Sequence, residues 1–94
     1  MSIVRVTKFT ANTTDTDALL AKRAELIAAV RSGFDGPVAT KLTRDADATW
    51  TDTWTWASAA HAYASVKARL PLAAEAFALV TVKGVETADV VDER

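Results

Sequence analysis

Thr49-Trp50-Thr51-Asp52-Thr53-Trp54-Thr55-Trp56 is the stretch that decides the fold. All three tryptophans of the chain stand at its even positions, and four threonines fill the odd ones. A period of two in β-branched and aromatic residues marks a strand with two chemically different faces. One face carries Trp50, Asp52, Trp54 and Trp56, and the other is a threonine ladder. The single carboxylate among three indoles is open to two readings. Asp52 is either a core residue bonded to a neighbour or the polar group of a ligand pocket, because pockets combine apolar walls with a few placed polar groups.

Upstream, Val38 to Arg44 reads as a second strand. The link Asp45-Ala46-Asp47-Ala48 is short enough to make a hairpin of the two. Phe34-Asp35-Gly36-Pro37 is a turn, with Gly36 supplying conformational freedom and Pro37 starting the next element without having to donate. Before it, Thr16 to Ser32 is rich in helix formers; Thr14, Asp15 or Asp17 can cap its start, and Gly33 is a stop signal. Leu19, Leu20, Leu26, Ile27 and Val30 fall on one stripe of that helix. Arg23 falls within the same stripe. Either its methylenes pack there while the guanidinium reaches water, or it is presented to a pocket beneath the helix.

Ile3 to Thr10 is a first strand, with Ile3, Arg5, Thr7 and Phe9 on one face and Val4, Val6 and Lys8 on the other. Downstream of Trp56 the pattern changes to an alanine-rich helix with Ser58 as its N-cap. Tyr63, Val66 and Leu70 are spaced to form its buried stripe. His61 lies opposite and reads as a solvated surface residue rather than a catalytic one. Pro71 breaks or kinks this helix, Leu72 to Leu79 resumes it, and Val80 to Val91 is a last strand. The order β-α-β-β-α-β predicts an α+β, ferredoxin-like domain: a four-stranded antiparallel sheet with two helices on one face and strands one and three as central neighbours.

At 94 residues the chain is read as one domain, residues 1–94. A domain this small buries only about 60 to 65% of its unfolded surface, so self-association is a natural supplement. A net charge of −1, with scattered cations and no basic stripe, argues against nucleic acid as a partner. The absence of cysteine excludes disulfides and thiolate chemistry, and a single histidine leaves His-cluster metal sites without ligands. No cofactor is expected. The start Met1-Ser2-Ile3-Val4-Arg5 lacks a basic leader, and no apolar run approaches the roughly 18 residues that span a bilayer, so a cytoplasmic protein without membrane contact is expected. If the tryptophans lie under the helices, the threonines share an uncovered face with Val4 and Val6. A second copy packed on that face would make a homodimer and close two open sheets into a barrel.

With the elements placed, Trp54-Thr55-Trp56-Ala57-Ser58, the alanine-rich helix with His61 and Tyr63, and the following Pro71 resemble the antibiotic biosynthesis monooxygenase (ABM)-like group of the dimeric α+β barrel superfamily. The resemblance covers nearly the whole chain, and its motif identifies the fold better than the reaction. It implies homodimers with a pocket in each subunit between sheet and helices, and chemistry on aromatic polyketides or quinols with dioxygen but without flavin, metal or haem. Trp56 matches the group's pocket tryptophan. Asp52 takes a place where some members carry Asn, and Tyr63 lies one position from where an active-site Tyr occurs. A haem-degrading branch of the fold uses an Asn on strand one and a His late in helix two. Here Thr7 and the early His61 stand instead, which disfavours haem.

These readings name Asp52, Trp56 and Tyr63 as candidate catalytic residues and Arg5, Thr7, Arg23 and Trp54 as candidate substrate-binding residues. Arg5 or Arg23 is the expected partner of Asp52, because a buried carboxylate without one is costly. In the functional version Asp52 takes a proton from a phenol-like substrate, an arginine steadies the oxyanion, and the indoles stack on the ring. Two functions follow. One is a cofactor-independent monooxygenase acting on a small aromatic ligand; the other is a non-catalytic dimer that binds an apolar ligand or packs its tryptophans as core.

Overall fold

The computed structural model describes residues 2–68 and 70–93, and of residue 72 the backbone alone. The start at Met1, on which the leader argument turns, lies outside the described residues. The elements are β1 (Ile3–Ala11), α1 (Thr16–Gly33), β2 (Ala39–Arg44), β3 (Trp50–Trp56), α2 (Ala59–Ala68), α3 (Pro71–Phe77) and β4 (Val80–Asp89). The four strands form one antiparallel sheet in the order β2-β3-β1-β4, the ferredoxin-like arrangement. Among the described residues no helix is long and apolar enough to cross a membrane.

Local chemistry sets the element boundaries. Asp15 caps α1 by accepting the Ala18 amide at 3.0 Å, and Ser58 caps α2 by accepting the His61 amide at 3.3 Å. The β2–β3 hairpin is tied by Asp45, whose carboxylate accepts the amides of Asp47 and Thr49 at 2.9 and 3.0 Å. Ala48, at φ 61°, takes the left-handed position of that turn. Pro71 sits in the first turn of α3, where its missing N–H costs nothing. The broken helix therefore becomes two helices rather than one kinked one. Gly33 closes α1 as a helical residue, and the extended residue after it is Phe34. Lys22 on α1 faces Glu25 at 3.2 Å and Glu75 of α3 at 3.7 Å. These carboxylates raise its pKa above the usual lysine range, the hydrogen bond to Glu25 being the largest cause.

The register of the central strands puts Ile3 opposite Trp56, Arg5 opposite Trp54, Thr7 opposite Asp52 and Phe9 opposite Trp50. This face lies under the helices, and its two ends carry the two apolar clusters of the core. At one end Ile3, Trp56, Val30 and Ala62 are buried together. At the other end Phe9 stacks on Trp50 with ring centres 6.0 Å apart, and Leu19 joins them. Trp56 is only 1% exposed, and burying a side chain of this size contributes on the order of 3 kcal/mol.

Two expected stripes are corrected. Leu20 is exposed at the margin of the α1 stripe, while Leu19, Ile27 and Val30 are buried. On α2 the buried residue is Ala62, and Tyr63 is 66% exposed. Tyr63 and Val66 are therefore not buried, whereas Leu70 packs against the Ile3–Trp56 cluster as expected. In an alanine-rich helix the closest approach to the sheet is made by a small side chain, here Ala62 against Trp56, so the bulkiest residues do not mark the inner face.

Candidate functional site

Three elements carry the same arrangement: apolar residues toward the two clusters and polar residues between them. On β1 Arg5 and Thr7 stand between Ile3 and Phe9; on β3 Asp52 and Trp54 stand between Trp50 and Trp56; on α1 Arg23 stands between Leu19 and Val30. These middle residues meet in a cavity of about 240 Å³ between the sheet and the helices. Leu42 and Val80 extend its wall along the sheet, and Ser65, Val66 and Leu70 with Ala73, Ala76 and Phe77 close it from the region of α2 and α3.

At the centre of the cavity wall, Arg23 forks onto Asp52. Its Nε donates to Oδ2 at 3.0 Å and its Nη2 to Oδ1 at 2.9 Å. The Trp54 indole Nε1 donates a third hydrogen bond to Oδ1 at 3.0 Å. The pair is largely sheltered, with the side chains of Arg23 and Asp52 21% and 15% exposed. A two-pronged guanidinium–carboxylate pair fixes both groups in orientation as well as charge. Trp54 is tilted against Trp56 with ring centres 6.2 Å apart. The Trp56 Nε1 is buried and has no hydrogen-bond partner. Leaving such a donor unpaired costs about 1 to 3 kcal/mol.

The structure brings together Arg5, Thr7, Arg23, Asp52, Trp54 and Trp56 around one cavity. Of the two readings of Arg23, the one facing the pocket holds, because Asp52 on the strand beneath draws the guanidinium inward. Asp52 takes Arg23 as its partner and not Arg5. Tyr63, expected in the site, lies outside it on the exposed side of α2. His61 is half-exposed, its Nε2 3.7 Å from Asp35, in a separate surface cleft. Trp50 also stands apart from the cavity, stacked on Phe9 and covered by the Arg44 guanidinium 4.9 Å from its ring centre. Sequence reasoning turned Val66 and Leu70 inward but did not place them in the site, and it missed Ser65, Ala73, Ala76 and Phe77; the signal was the spacing Ala62, Ser65, Val66 rather than the bulk of Tyr63. Among the described residues no three His, Asp or Glu side chains gather as a metal-binding group.

No protein-family model matches the sequence, and no curated protein matches it. Solved structures do match. SnoaB, a cofactor-independent oxygenase from Streptomyces nogalater, superposes with a TM-score of 0.78 at 19% identity, over 98% of this chain and 95% of its own. A candidate antibiotic biosynthesis monooxygenase from Chloroflexus aurantiacus gives 0.71 at 21% identity, over 100% and 97% of the two chains. Rv0793 from Mycobacterium tuberculosis gives 0.71 at 20% identity, over 99% and 98%. The chain therefore shares the ABM-like fold along its whole length.

Proposed function

We propose that this protein is a cofactor-independent oxygenase acting on a small hydroxylated aromatic substrate held between the sheet and the helices. The observation that carries the reading is the polar belt facing an otherwise apolar cavity: one oriented carboxylate, held by Arg23 and Trp54, beside two indoles. The fold of SnoaB, a cofactor-independent oxygenase, supports it.

Asp52 is the proton acceptor in this scheme. A carboxylate offers about four lone-pair positions, and Arg23 and Trp54 occupy two on Oδ1 and one on Oδ2. The remaining position on Oδ2 accepts the substrate hydroxyl. Its proton passes to Asp52, and the resulting phenolate is electron-rich enough to reduce dioxygen. A hydroxyarene with hydrogen at the reacting ring position plus dioxygen gives a quinone and water. The substrate supplies all four electrons. Trp54 stacks on the ring, and the apolar wall to which Trp56 belongs keeps it dry.

A non-catalytic binding module is the second reading, and the same hydrogen bonds favour it, since a carboxylate held by three donors is also a stable structural unit. Oxygen-electrode measurements with naphthol and hydroquinone substrates separate the two. The oxygenase reading expects uptake that Asp52→Asn lowers by about 100-fold or more, the usual scale of general-base catalysis, with the fold retained. Uptake unchanged in that variant removes Asp52 from the mechanism, and no uptake with any hydroxyarene leaves the binding module.

A further inference from the structure

Among the described residues the charged groups of the cavity wall are Arg5, Arg23 and Asp52. Arg23 and Asp52 neutralise each other through their forked pair. Arg5 makes no hydrogen bond or ion pair with any described residue, although it is half-buried on the central strand β1 and opposite Trp54. Among the described residues the cavity wall therefore carries one uncompensated positive charge, that of Arg5. A neutral ring entering it would strip water from the guanidinium and return no acceptor, which is costly for a charged group. A ligand with an anionic oxygen pair would replace that water with a charge-assisted fork.

We infer that the ligand of this cavity is an aromatic carboxylate whose acid group is bound by Arg5. The inference rests on the oxygenase reading only for the pocket's aromatic preference, and it names the substrate class. Position adds a constraint. Arg5 lies two residues along β1 from Thr7, the residue opposite Asp52, a step of about 7 Å on one strand face. Arg5 and Asp52 therefore leave the sheet at separate points, and a probe with its acid and its hydroxyl on different rings of a fused two-ring system engages both.

The test is calorimetric titration of the intact protein, under nitrogen, with 6-hydroxy-2-naphthoate and with its neutral counterpart 6-(hydroxymethyl)-2-naphthol. The acid should bind at least tenfold more tightly than the alcohol, and added salt should narrow the difference. Arg5→Met should bring the ratio to about one, and Arg5→Lys should keep part of it. Equal affinities in the native protein overturn the inference, whatever the variants do, as does failure of both probes to bind at millimolar concentration. If 2-naphthol gains affinity as pH rises through its own ionisation while the acid shows no advantage, the anion recognised is a phenolate and the carboxylate assignment fails. Oxygen uptake separates this result from the previous one: an acid preference without uptake removes the oxygenase reading alone, and uptake of neutral hydroxyarenes without an acid preference removes this inference alone.

Discussion

Gly36 shows how much a single residue can hold in place. Its φ of 134° is a backbone conformation that side chains disfavour, and a Cβ there would meet Trp56 Cε3 at 3.0 Å. The contact falls on the most buried large side chain of the site. Gly36→Ala should therefore cost about 2 to 4 kcal/mol, combining backbone strain with overpacking. Urea unfolding measures it, and a loss below about 0.5 kcal/mol would show that Trp56 gives way easily. At this scale the sequence was informative about which residues meet and less so about how they pair. The alternation of β3 put Asp52 on the tryptophan face, and Arg23 stood out as a cation in an apolar stripe. The choice between Arg5 and Arg23 as the partner of Asp52 depended on reach across the gap between α1 and β3, which spacing along the chain does not encode.

The elements followed from capping and breaking chemistry, and they were legible for the same reason. Ser58, Asp15 and Pro71 act through local bonds, so their effects can be read without knowing the fold. Ser58→Ala should remove the N-cap of α2 and cost about 1 kcal/mol, lowering Tm by roughly 4 to 8 °C in a domain of this size. An unchanged melting curve would mean that packing of Ala62 alone holds this helix. The phase of α2 was legible only in part. The i, i+3, i+7 spacing of Tyr63, Val66 and Leu70 places Val66 and Leu70 toward the cavity, but Tyr63 points away and the contact with the sheet is made through Ala62. Small residues carry little hydrophobic signal even where they are the closest-packed.

For the whole molecule, the sheet has a face away from the helices, with Val4 opposite Thr55, Val6 opposite Thr53 and Lys8 opposite Thr51. In the same rows Lys41 of β2 flanks Thr53 and Glu86 of β4 flanks Val6. We propose that a second copy covers this face, as a domain of this size gains from self-association. Light scattering should give a dimer at micromolar concentration, and Val6→Glu, which adds a charge to the centre of that face, should shift it to monomer while keeping the helical signal. A native monomer at that concentration would sink the proposal. The same topology has a consequence for how β3 tolerates change. A surface strand has an idle face on which substitutions accumulate freely. In β3, Trp50, Asp52, Trp54 and Trp56 serve the core and cavity, while Thr51, Thr53 and Thr55 form the centre of the opposite face. With a second copy on that face, this strand has no position at which drift is free, and a saturation scan of the chain should find its longest unbroken run of intolerance there.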